Sequence, residues 1–298
     1  IEKGRWVHTW GCGHATIPCE EMYPRIGGIV GFHPLCELPL TFFTQIIGQM
    51  GIHQFLYLER LEGYAQTVMK NYDFSSDDCI WIFSHTGINA VNIDMANEAH
   101  KRGMKVIQDM VFNHCGLENF LFRDRPDDDW FNCGSRYVQT SYRISAVPDI
   151  HGSEADKTNA RDGWFVEVMP DLNQRNPHVW KYLTQNSIWW TEYAGIDGIR
   201  QDTYPYADRQ AMARWNQALL AEYPHFNIVG ETWLNHNVGV SQWQKGSKLA
   251  GQDNDSELPT VMDFPLMGLL NSALDEETND WDKGLARIYE YISQDAVY

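Results

Sequence analysis

The sequence predicts an α/β fold of the (β/α)8 TIM-barrel class, interrupted by one large insertion. Three features carry that expectation. Strands and helices alternate from about residue 88 onward, the strands end in polar or acidic residues, and one connection is roughly sixty residues long. Strands separated by helices of ~10–15 residues form parallel βαβ units, because a parallel return needs a long crossover. The carboxyl ends of such strands form the functional face. Asp109, Asp202, Glu231 and Asp263 stand at four of those ends. Several acidic strand ends aimed at one centre favour a closed barrel over an open sheet.

The elements follow in order. Ile88, Val91, Met95 and Ala99 recur at helical spacing, with Lys101 and Arg102 in the last turn and Gly103 as a stop. Residues 104–112 read as an apolar strand. Pro177 suits a first helical turn, where its missing N–H is no loss. Val179, Leu183, Asn186, Trp190 and Tyr193 then track one helical face as far as Gly195. A strand over 196–202, a helix over 208–223, a strand over 226–231 and a short strand over 260–264 follow, and 267–293 is largely helical. The connection between His114 and Pro177 is too long to be structureless inside a compact domain, so it is an inserted subdomain. The expected organisation is residues 1–114 as the first part of the barrel domain, 115–175 as the insertion and 176–298 as the barrel's continuation. There is no internal repeat or low-complexity segment.

Composition narrows the function. The 298 residues are 43% hydrophobic and carry a formal net charge of −17. A nucleic-acid partner is excluded, since such affinity comes from neutralising phosphates. A neutral substrate fits better, and 12 Trp, 14 Tyr and 13 Phe offer flat faces for sugar rings as well as core packing. No apolar run of about 18 residues occurs, so no span of a membrane is expected. Six cysteines are too sparse for a disulfide scaffold at this length. His8, Cys12, His14 and Cys19 match no common zinc module in their spacing. The acidic loop at 253–257 reads as solvated rather than cation-binding.

The chemistry concentrates on Arg200, Asp202 and Glu231. Strand side chains alternate, so Gly198, Arg200 and Asp202 share a face. The arginine charge favours an ionised Asp202, as a nucleophile requires. Glu231 ends the next strand in a mostly apolar stretch, which raises a carboxyl's pKa and keeps a proton available. Carboxyl groups about 5–5.5 Å apart would make the pair a retaining glycosidase; about 9 Å would give inversion.

Asp109-Met110-Val111-Phe112-Asn113-His114, Gly198-Ile199-Arg200-Gln201-Asp202, Gly230-Glu231-Thr232-Trp233 and Met169-Pro170-Asp171-Leu172-Asn173 stand in an order and at spacings that resemble the signature segments of the α-amylase family. Met169, Thr203-Tyr204-Pro205-Tyr206 and the stretch 258–266 resemble its neopullulanase and cyclomaltodextrinase branch. The resemblance implies a (β/α)8 barrel with a domain B inserted after the third strand. It implies Asp202 as nucleophile, Glu231 as acid/base and Arg200 holding Asp202 ionised. His114 would bind the sugar, with Asp109 and Asn113 as structural support; Trp233, beside Glu231, is a candidate cleft residue for substrate binding by its position. Asn113 matches a calcium position in some members; a structural hydrogen bond is an equal reading, and no cofactor is required.

The resemblance covers roughly residues 90–298. The first ninety residues are off-pattern: Gly63-Tyr64-Ala65-Gln66-Thr67 keeps only part of a family segment, Tyr64 being either its sugar-stacking tyrosine or an ordinary packing residue. No His-Asp pair follows Glu231, whereas the family carries a third catalytic carboxylate there. The expectation is a barrel incomplete at its C-terminal end. The function expected is hydrolysis of α-1,4 bonds in cyclomaltodextrins, pullulan or starch oligosaccharides. A saccharifying α-amylase, a transglycosylase and a non-catalytic glucan-binding barrel are the alternatives. A periplasmic or secreted location is expected, with the cytoplasm as the alternative; the oligomeric state is left open.

Overall fold

The computed structural model describes residues 4–22, 30–85, 87–249, 255–278 and 280–298. The chain divides into two compact units, one of residues 1–107 with 190–197, the other of residues 108–189 with 198–298. Residues 253 and 254 of the acidic loop lie outside the described residues.

In the first unit, β1 (Val7–Gly11) lies between β2 (Phe32–Pro34) and β3 (Cys79–Phe83), all parallel. The central strand is the most buried: His8, Thr9 and Trp10 are nearly inaccessible. Trp10 Nε1 donates to Asn92 Oδ1 at 2.8 Å, fixing helix α1 (Ala90–Lys101) to the sheet. Val91, Met95 and Ala99 of α1 are fully buried, as the periodicity predicts. Ile88 is 72% exposed, because the helix begins two residues after it. Gly103 takes a left-handed φ of +83°, and the Gly103 and Met104 N–H groups close the helix on the His100 and Ala99 carbonyls.

The second unit holds a four-stranded sheet in the order β4 (Ile107–Val111), β5 (Gly198–Asp202), β6 (Asn227–Gly230) and β7 (Thr260–Val261). Helix α2 (Pro177–Ala194) leads into β5, and α3 (Arg209–Glu222) links β5 to β6. Asp208 caps α3, its carboxylate accepting the Ala211 N–H at 2.9 Å. Val179, Leu183, Met212 and Trp215 of these helices are buried with Phe112, whose ring meets Trp215 edge-on at 4.9 Å. Ile199 and Ile228 pair across β5 and β6 with no exposure.

Three sequence expectations change here. Among the described residues the strands form two parallel sheets, in the orders β2-β1-β3 and β4-β5-β6-β7, and not one closed barrel. The helix expected over 267–293 is two, α4 (Phe264–Asp275) and α5 (Arg287–Ser293). Glu276 ends the first by accepting the Gly284 N–H at 2.6 Å and pairing with Arg287 at 2.7 Å. The strand expected over 260–264 is only two residues long.

The long connection packs within the second unit. It leaves at Asn113 and returns beside it: Leu172 N–H donates to Asn113 O at 2.7 Å and Cys115 N–H to Pro170 O at 3.1 Å. Phe122, Phe131 and Trp164 meet edge-to-face as its own small core.

Candidate active site

The register of β5 and β6 assembles the site. Gly198 pairs with Asn227, Arg200 with Val229 and Gln201 with Gly230, and the Glu231 N–H continues the ladder to Gln201 O at 2.9 Å. Alternation then puts Arg200, Asp202 and Glu231 on one face. Gly230 leaves room for two side chains: a Cβ there would lie 2.6 Å from the Leu258 side chain and 3.0 Å from the Tyr204 ring.

One guanidinium holds three carboxylates. Arg200 Nη1 donates to Asp202 Oδ1 at 2.6 Å and to both oxygens of Asp109 at 2.9 and 3.0 Å, while Nη2 pairs with Glu231 Oε1 at 2.7 Å. Glu231 Oε2 accepts the Thr203 N–H at 2.8 Å. Burial opposes the Arg200 charge, yet Asp202, Asp109 and Glu231 together hold its pKa above the usual value. Burial pushes the Glu231 carboxyl above its ordinary range; the Thr203 N–H and Arg200 pull against burial, and Asp202 pushes with it. The side chain of Glu231 is 13% exposed and that of Asp109 59%, so the guanidinium bridges a sheltered carboxyl and an open one.

His114 stands at the end of the β4 segment, in a bridge opposite Asp171 and edge-on to Phe165 at 5.2 Å. Burial lowers its pKa against the pull of Asp202, which favours a neutral ring at neutral pH. Asn113 Nδ2 donates to Asp171 Oδ2 at 2.8 Å and Asn132 Nδ2 to Asp171 Oδ1 at 2.6 Å. Trp233 is 59% exposed and stacks on Phe264, with ring centroids 4.8 Å apart and planes 9° apart. A cavity of about 400 Å³ opens beside Phe264, lined also by Asn235, His236, Leu269 and Arg287. Tyr64 belongs to the first unit, at the start of the helix Tyr64–Met69, its hydroxyl donating to Glu37 Oε1 at 2.8 Å.

With Asp109, His114, Arg200, Asp202 and Glu231 in one unit, the comparison with known families is decisive: a model of the α-amylase catalytic domain matches residues 64–292. The chain belongs to the α-amylase family. A cyclomaltodextrinase of Thermoanaerobacter pseudethanolicus is 29% identical over 200 residues, 65% of this chain and 32% of that protein. The chain thus spans about a third of that relative's length. The crystal structure of the α-amylase of Geobacillus thermoleovorans complexed with acarbose superposes with a TM-score of 0.50 at 26% identity, covering 68% of this chain and 40% of that one.

The off-pattern N-terminal stretch has a match of its own. A SIS domain model covers residues 1–108. A UPF0309 protein of Listeria innocua is 36% identical over 107 residues, 36% of this chain and 41% of that protein. The α-amylase domain's five polar residues at the β4, β5 and β6 ends all lie in the other unit. Sequence reasoning missed the Thr203 N–H, because a backbone donor leaves no side-chain signature. It also gave Asp171 no role; its place in a segment with Asn173 was the available signal.

Proposed function

We propose that the second unit carries the catalytic pair of a retaining α-glucan hydrolase acting on α-1,4-glucosidic bonds. The observation that supports this most is the single Arg200 fork joining Asp109, Asp202 and Glu231, with the Thr203 N–H on the far oxygen of Glu231. A binding surface has no need of two juxtaposed carboxyls in different environments; acid–base chemistry does.

In this reading Asp202 attacks the anomeric carbon as the bond from that carbon to the glycosidic oxygen breaks. The Glu231 proton goes to the leaving oxygen, giving a glycosyl ester on Asp202. Glu231, now a carboxylate, takes a proton from water, whose oxygen bonds to the anomeric carbon and frees Asp202. Arg200 holds Asp202 by a hydrogen bond at 2.6 Å, and Asp109 holds Arg200 from the other side. His114, neutral and at the β4 end, hydrogen-bonds sugar hydroxyls. Trp233, its ring backed by Phe264, offers a stacking face to a neighbouring sugar. Cyclomaltodextrins are the leading substrate class, after the name of the Thermoanaerobacter relative, followed by pullulan and starch oligosaccharides.

Hydrolysis of β-cyclodextrin, pullulan and soluble starch, with Asp202→Asn as control, tests the reading. Cleavage abolished by the substitution supports it. Cleavage that survives Asp202→Asn contradicts the assignment of the nucleophile. Acarbose, bound by the Geobacillus enzyme, is the probe for binding without turnover.

A further inference from the structure

The geometry points to the Thr203–Tyr204 turn as a positioning device for the Glu231 carboxylate, an inference that rests on the acid/base reading of Glu231. Thr203 has φ 46° and ψ 35°, the left-handed region that a β-branched residue adopts only under constraint. The constraint is visible one residue on. Tyr204 is 1% exposed, its ring fits the space left by Gly230, and it meets Trp243 edge-on at 6.2 Å. Its hydroxyl donates to Ser256 O at 3.2 Å and accepts from Asn216 Nδ2 at 2.7 Å, and Asn216 Nδ2 also reaches Ser256 O at 2.8 Å. Asn216 is fully buried on α3. The anchor therefore ties the turn after β5 to a helix and to the loop before β7.

What this anchor holds is a single donor. With Thr203 in the left-handed conformation its N–H points at Glu231 Oε2, at 2.8 Å. A backbone donor aimed at one carboxylate oxygen favours the ionised form and leaves the other oxygen to Arg200. The charged and titratable groups around Glu231 are Arg200 and Asp202 on β5, Asp109 on β4 through Arg200, and Tyr206 in the turn itself. Only the Thr203 N–H among these donors is fixed by backbone geometry, so loosening the turn removes a constant opposing the proton. Tyr204 and Asn216 are buried and act through Thr203; they are positioning residues.

The test needs no turnover. In an amide NMR titration of the labelled chain, the Thr203 proton shift should follow the ionisation of Glu231, with the step absent in Glu231→Gln. In Tyr204→Phe the amplitude should fall and the midpoint rise by about half a unit, roughly threefold in the ionisation constant. Thr203→Gly keeps the N–H and accepts the left-handed backbone, so its midpoint should stay in place. A Thr203 amide with no step at the Glu231 midpoint overturns the inference, as does an unmoved midpoint in folded Tyr204→Phe. Should Tyr204→Phe fail to fold, the wild-type and Glu231→Gln titrations decide alone. Absence of hydrolysis with the amide step present would count against the catalytic reading and leave the positioning intact.

Discussion

At the level of single residues, the account makes Glu231 the group that sets the pH response. Its carboxyl is raised above the ordinary range by burial, so it holds its proton to higher pH than a free glutamate. Bond cleavage should therefore fall on the alkaline side as Glu231 ionises, a limb visible in kcat/KM against pH. Glu231→Gln should lower kcat on natural glucans by about 10²–10⁴-fold, yet spare a glycosyl fluoride whose leaving group needs no proton. The same rise has a sign for stability. A folded pKa above the unfolded one means that the contribution is present in full below the unfolded value and is lost as pH rises through the folded value. Chemical denaturation across that window should show a decline that Glu231→Gln removes. Asp202, Glu231, Arg200 and His114 were legible as a group because they stand at or near the ends of neighbouring strands. The Thr203 donor was not, since it depends on a φ that no residue letter encodes.

Elements were legible where their ends carry chemistry. Asp208 at the start of α3 and Gly103 after α1 mark their helices in the sequence, and both caps are made. Asp208→Ala should cost about 1 kcal/mol in a denaturant titration, because the Ala211 N–H loses its acceptor. Trp215→Ala should cost about 3–5 kcal/mol, since it empties the contact with Phe112 and frees Ser187 Oγ from the indole N–H. The break between α4 and α5 was hidden. It rests on Glu276 reaching Gly284 and Arg287, contacts eight and eleven residues away that a helical periodicity does not register.

At the scale of the whole molecule, local pattern gave βα alternation but not which strands share a sheet. The choice of β1 as a central strand depends on partners some 25 and 72 residues away. In the structure these strands belong to the unit formed by residues 1–107 with 190–197. The cysteines report on both units. Burial pushes Cys12 and Cys19 of the first and Cys115 of the second up to about 12, while Cys79 and Cys133 are exposed. A thiol reagent near neutral pH should modify Cys79 and Cys133 first and reach Cys12 and Cys19 only on unfolding, as peptide mapping would read out. The central claim, that Asp202 becomes glycosylated, is tested most directly by trapping. The protein is incubated with a fluorinated maltosyl fluoride that slows release of the intermediate, then digested and mapped by mass spectrometry. The account predicts one sugar adduct, on the peptide carrying Asp202, absent in Asp202→Asn. An adduct on another carboxylate, or glucan hydrolysis with no adduct at all, would contradict it.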